Sequence, residues 1–253
     1  MRPDGVDGPR LEPARDRLLR DARRAPPLGL VPVPAHRAGA RPYRESIVTS
    51  DLHTASIPAE AVDYLRRVDP ILAGLVSIHG ALEYPIDSDL WRSLVSSIVG
   101  QQLSIKAAAT IRERVAALDG GFPTPETIET LSDESLRGCG LSRAKVGFLR
   151  DLARRWLAGE IDPPHLERLP DEEVIEHLVR VRGVGRWTAE MVLIFSLGRP
   201  DVLAVDDLGL RSAAQRLYGL AERPEREEFD ALGAPWRPYR SYASLYLWQS
   251  LKT

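Results

Sequence analysis

From Ile57 to the C-terminus the chain repeats one pattern: apolar positions three and four residues apart, interrupted by capping and turn residues. Leu90, Trp91, Leu94, Val95 and Ile98 make one such stripe, and Ser88 is placed to cap that helix at Asp89. Val146, Leu149, Leu152 and Trp156 make another, behind a Ser142 cap and ending near Gly159. The same reading predicts helices over 58–68, 71–80, 104–118, 186–197, 208–220, 225–232 and 239–251. Short helices are expected after the Thr124-Pro125 pair and after Ser132, and a longer one capped by Asp171 and running to about Val181. No segment alternates long enough to predict a strand. The expected fold class is all-α.

Residues 1–47 break the pattern. They are rich in Arg and Pro, with one short helical stretch near 11–24. Such a composition cannot bury enough apolar surface to fold, so the segment reads as a disordered tail, or as upstream sequence from a mis-set start. A tail of this kind can add non-specific DNA affinity.

Composition narrows the function classes. With one cysteine, Cys139, the chain has no intramolecular disulfide framework, no multi-cysteine zinc site and no four-cysteine iron–sulfur cluster. The simplest compartment is a reducing cytoplasm, beside the nucleoid. No apolar run approaches a membrane span, and no secretory apolar region opens the chain. The histidines lack metal spacing, and His53, His79, His165 and His177 read as surface or capping residues. The net charge of −2 gives no global sign of nucleic-acid binding, although a local basic face would suffice. Only Lys106, Lys145 and Lys252 are lysines, so amine chemistry has few candidates. Lys106 and Lys145 read as surface charges.

The informative stretch is 178–210. It reads helix, tight Gly183-Val184-Gly185 turn, helix, loop, then Asp206-Asp207 opening another helix. Glycines let the backbone turn sharply, and a helix N-terminus offers free N–H groups to an anion such as a phosphate. Arg182 and Arg186 flank the turn. Alone, this would fit any helix–turn–helix connection. An Asp opening a helix is most often its cap, but with two adjacent, one can cap while the other faces a cleft. A carboxylate in a closed site can stabilise a cationic sugar or position a water.

Three motifs set this stretch in context: Val99-Gly100-Gln101-Gln102-Leu103-Ser104, the turn through Asp207, and Trp236-Arg237-Pro238-Tyr239-Arg240-Ser241 through Trp248. Together they resemble the helix-hairpin-helix DNA glycosylase superfamily, most closely its DNA-3-methyladenine glycosylase II (alkylbase glycosylase) branch. The resemblance leaves out residues 1–47. It implies two helical lobes with the site in the cleft between them. Lobe one is expected over about 86–204, including the hairpin at 178–197. Lobe two is expected to combine 51–85 with 205–253 in a glycosylase domain of 51–253.

The resemblance places the catalytic carboxylate at Asp207, with register fixed by Leu210, and makes Asp206 a structural partner. It implies that Gly183, Gly185, Arg186 and Thr188 bind phosphate, and that the hairpin carbonyls of Val179, Val181 and Val184 hold a monovalent cation. Trp187 stands where glycosylase/lyases carry lysine, which implies a monofunctional enzyme using water. Trp187, Met191, Leu208 and Trp248 are expected to line the base pocket. An electron-rich indole face suits a cationic alkylated purine. Relatives have Tyr at the Met191 and Leu208 positions, so the lesion range is expected to differ. Base chemistry requires extrusion from the duplex, and the resemblance makes Gln102 the wedge that fills the gap, supported by Gln101.

The expected activity is hydrolysis of the N-glycosidic bond of alkylated purines, 3-methyladenine first and 7-methylguanine after it, leaving an abasic site. The expected partner is damaged double-stranded DNA, without a membrane, for a monomer needing no cofactor. Two alternatives stay open: a glycosylase for other damaged bases such as hypoxanthine or ethenoadenine, and a non-catalytic helix-hairpin-helix DNA-binding protein.

Overall fold

The computed structural model describes residues 52–252. The tail at 1–47 and its short helix at 11–24 lie outside the described residues. The elements run β1 (Leu52–Ser56), α1 (Ala59–Val68), α2 (Pro70–His79), β2 (Glu83–Asp87), α3 (Leu90–Gly100) and α4 (Ile105–Ala116). They continue as α5 (Pro125–Thr130), α6 (Asp133–Gly138), α7 (Arg143–Leu157), α8 (Pro163–Leu166), α9 (Asp171–Leu178) and α10 (Arg186–Phe195). The chain ends with α11 (Leu208–Tyr218), α12 (Arg226–Gly233) and α13 (Arg240–Ser250).

The fold is helical, as the periodicity predicts, with one exception. β1 and β2 pair antiparallel, Leu52 opposite Asp87 and Ser56 opposite Glu83. The sequence reading missed both strands. Each is five residues long, too short for sustained alternation, and β2 contains Pro85. A two-stranded sheet has only edge strands, where a missing N–H is tolerated.

Helix starts follow local side-chain chemistry. The Ser104, Thr124, Ser132 and Ser142 hydroxyls each accept from a backbone N–H three residues on. Two expected caps shift by one residue. Asp89, not Ser88, caps α3, because its carboxylate reaches the Arg92 N–H at 2.9 Å. Pro170, not Asp171, precedes α9, so Asp171 joins the acidic first turn, where it meets the positive end of the helix dipole.

The first lobe packs α3 against α4, α7 and α10, with α5 and α6 on α7 and α9 on α10. Leu94, Ile98, Leu149, Leu152 and Leu178 are fully buried there. Emptying any one of them to Ala would cost about 2–5 kcal/mol. In the second lobe α2 lies on α1 and α13, and α11 on α13. Its polar centre is Asp69. One oxygen caps α2 through the Ile71 and Leu72 N–H groups, and the other accepts from the Tyr218 hydroxyl at 2.6 Å and the Trp236 indole at 3.0 Å. Tyr218 and Trp236 are both buried.

Candidate active site

The hairpin between α9 and α10 is built by two glycines with different reasons to be glycine. Gly183 has φ +84°, and a Cβ there would lie 2.3 Å from the Phe148 ring, so the chain itself forbids a side chain. Gly185 sits at the N-cap of α10 with ordinary φ, and nothing lies within 4 Å of a Cβ added there. The first N–H groups of a helix have no intrahelical partner, and no side chain caps this end of α10. Asp151 of α7 steadies the approach by accepting from the Arg182 N–H at 2.9 Å. Burial opposes ionisation of Asp151, but that N–H and the Arg155 guanidinium outweigh it and hold its carboxyl below the usual range.

Arg186 does not reach outward from this end as a free cation. It makes a two-pronged contact with Glu172, at 2.6 and 2.9 Å, and its Nε donates to Glu190 at 3.1 Å. Glu190 is buried, and burial pushes its carboxyl up to about 7 despite the Arg186 charge. These residues border a cavity of about 380 Å³ whose walls also include Asp201, Arg226 and Arg240. Asp207 is not among its lining residues. Thr188, expected on the phosphate-facing surface, is buried because it lies on the inner face of α10.

Asp207 is held from three directions. Its Oδ1 caps α11, accepting from the Leu210 N–H at 2.7 Å, and also accepts from the Trp248 indole at 3.3 Å. Its Oδ2 accepts from the Trp187 indole at 2.8 Å. The buried run Val202-Leu203-Ala204 brings it there, tied to α13 by the Val202 N–H and the Ser241 hydroxyl. Gly209 leaves room for the carboxylate, since a Cβ there would come within 3.0 Å of Oδ1. Asp207 is only 8% exposed.

This revises the expected division between the two aspartates. Asp206 caps nothing; it points outward and pairs with Arg226 at 3.0 Å. The helix cap falls to Asp207, which uses one oxygen for the Leu210 N–H and the other for the Trp187 indole.

The surrounding residues separate by exposure. Trp187 is 42% and Leu208 55% exposed, and both flank Asp207 at the surface. Trp248 is half-buried against the Phe195 ring. Met191, expected to line the base pocket, is 1% exposed and belongs to the core, one turn deeper on α10 than Trp187. Gln102 is exposed at the end of α3 with φ +56°, the one non-glycine residue at positive φ among the described residues. Non-glycine residues held in this backbone conformation concentrate at functional sites.

Two residues proved more connected than their sequence suggested. Gln101 donates from Nε2 to the Gly183 carbonyl at 2.6 Å. Lys145, expected to be a surface charge, is half-buried, and its ammonium donates to the Val99 and Gln101 carbonyls at 2.7 Å each. The carbonyls at the end of a helix are a regular place for a cation, but carbonyls leave no mark in a sequence. Among the described residues, no group of three or more His, Cys, Asp or Glu could hold a metal, and no helix is long and apolar enough to cross a membrane.

Comparison with known proteins places this geometry. Residues 95–238 match the HhH-GPD superfamily of base excision DNA repair proteins. DNA-3-methyladenine glycosylase 1 of Schizosaccharomyces pombe is 38% identical over 212 residues, covering 83% of this chain and 91% of that protein. A Bacillus subtilis relative is 32% identical over 188 residues, which is 72% of this chain and 66% of the relative. The solved structure of the Schizosaccharomyces pombe 3-methyladenine DNA glycosylase in complex with abasic DNA superposes with a TM-score of 0.69 at 34% identity. It covers 77% of this chain and 98% of that one.

Proposed function

Because the chain belongs to the HhH-GPD superfamily and, within it, to the DNA-3-methyladenine glycosylases, we propose that it releases alkylated purines, 3-methyladenine first, from double-stranded DNA as a monofunctional glycosylase. The observation that carries this reading is Asp207, a nearly buried carboxylate bracketed by two indole N–H groups beside the hairpin.

The N–H groups opening α10 take a backbone phosphate, which approaches over the open Gly185. Arg186 contributes by position, shaping the hairpin through Glu172 and Glu190 rather than grasping phosphate itself. Gln102 enters the stack where the damaged base leaves it, and its amide can bond the orphaned partner base. The extruded base lies against Trp187, Trp248 and Leu208. Ring faces suit a cationic base, whose glycosidic bond is already weakened. As that bond breaks, positive charge develops on the sugar, and Asp207 offsets it and orients the attacking water. The products are the free base and an abasic site.

Strand cleavage by an amine is not part of the reading. Trp187 fills the position a lyase would give to lysine, and the Lys145 amine is committed to two carbonyls. The carbonyls of Val179, Val181 and Val184 would hold a monovalent cation that stiffens the turn. The Val181 carbonyl already accepts from the Val184 N–H at 3.0 Å and keeps one lone pair for it. The protein is proposed to act as a monomer in the cytoplasm, on nucleoid DNA.

The test is base release from methylated duplex DNA by the unaltered protein and by Asp207→Asn, before and after alkali. Release that needs Asp207, with strand breaks only after alkali, supports the reading. Breaks before alkali would sink the monofunctional assignment. Tight duplex binding with no release from any damaged base would leave a binding protein.

A further inference from the structure

One face of α7 touches two regions far apart in sequence. Lys145 holds the Val99 and Gln101 carbonyls at the end of α3. Three residues on, the Phe148 ring occupies the space over Gly183. Three further, Asp151 accepts from the Arg182 N–H. Residues at this spacing share a helix face. The loop bearing Gln102 and the Gly183 hairpin therefore rest on one rigid rod. A direct tie closes the triangle, because Gln101, the residue before Gln102, donates to the Gly183 carbonyl across 82 residues of sequence.

We propose that Gln101 and Lys145 are positioning residues that fix the distance between the wedge at Gln102 and the phosphate grip of the hairpin. The inference rests on the glycosylase reading and deepens it. Both parts act on one duplex, so a wedge set at a fixed distance from a gripped phosphate meets the gap as it opens. A wedge on a slack loop would have to be ordered at that moment, at an entropic cost taken from extrusion. The chemistry of Lys145 fits such a post. The last carbonyls of α3 lack helical N–H partners, and an ammonium brings three donors to the negative end of the helix. Burial and the Arg112 charge lower the Lys145 pKa from its ordinary value, as expected of an amine drawn inward. The bonds of this tie are separate from those that hold Asp207, which come from Leu210, Trp187 and Trp248.

The test compares one methylated purine in two duplexes, paired with its normal partner or opposite a stable abasic analogue. In the second duplex the lesion is already unpaired and extrusion is easier. Gln101→Met keeps the side-chain length and removes the donor. Its single-turnover base release from the paired lesion should fall about tenfold or more, and from the unpaired lesion by less than about threefold. Binding to each duplex is measured beside it, so that release is compared per bound molecule. Lys145→Gln should show the same split. An equal fall on both duplexes, or none on either, would overturn the proposal. A second readout covers variants that fold poorly: 2-aminopurine placed opposite the lesion should report weaker stack opening per bound molecule, and an unchanged signal would count against the coupling. Should the unaltered protein release no base from either duplex, the glycosylase reading fails instead, while the 2-aminopurine signal still reads the tie.

Discussion

Asp69 and Asp207 are built alike and placed differently. Each caps a helix with one oxygen and takes an indole N–H with the other, from Trp236 in one case and Trp187 in the other. Around Asp69 the donors are sealed, with Trp236 and Tyr218 buried in the second lobe. Around Asp207 the Trp187 residue is 42% exposed, so the side chain that holds the carboxylate also reaches solvent. The local chemistry of a capped, indole-bound carboxylate does not distinguish a site from a structural node. Access to the donors does.

The comparison breaks most sharply at Asp207. Asp207→Asn should lower single-turnover base release by at least about a hundredfold. Its melting temperature should fall only slightly, because Asn caps a helix about as well as Asp and the Trp187 side chain, whose indole loses its acceptor, is 42% exposed to water. Asp69→Ala should do the reverse. It strips a cap and orphans two buried donors, so urea unfolding should show a loss of about 2–4 kcal/mol, with base release per folded molecule unchanged. A large activity loss in Asp69→Ala without unfolding would erase the distinction.

Glu190 sharpens the contrast as a buried carboxylate in neither role. Its folded-state pKa, about 7, lies above the unfolded value. The native state therefore holds its proton more tightly, and the associated stability is fully present below the unfolded pKa and lost as pH rises toward about 7. A loss of about 1–3 kcal/mol should be spread over that window and flatten in Glu190→Gln, as read from unfolding at several pH values. An unchanged slope in the variant would remove Glu190 as its cause. The smallest effect belongs to Asp206. Its exposed pair with Arg226 should contribute no more than about 0.5 kcal/mol, and Asp206→Ala should keep base release within about twofold.

Much of the helical frame was legible, because stripe spacing and hydroxyl caps are local signals. The four hydroxyl caps stand where the sequence puts them. What escaped depends on distant partners. The strands pair residues 52–56 with 83–87 and lack length for a pattern of their own. The adjacent aspartates could not be apportioned without knowing which side of the loop α10 and α13 would occupy. Thr188, expected to meet phosphate, and Met191, expected to line the base pocket, both lie inside, because motif membership does not say which face of α10 turns inward. Lys145 reads as a surface charge in the sequence because its partners are backbone carbonyls.

The two hairpin glycines are policed by different authorities. An alanine at 183 collides with the Phe148 ring in every copy of the chain, so cellular quality control would meet the fault as misfolded protein and clear it. An alanine at 185 collides with nothing in the free protein. Such a chain would mature, persist at ordinary abundance and be counted as healthy by any assay of protein level. Its defect would surface only when DNA arrives, as a cell well stocked with a repair protein yet sensitive to alkylating agents.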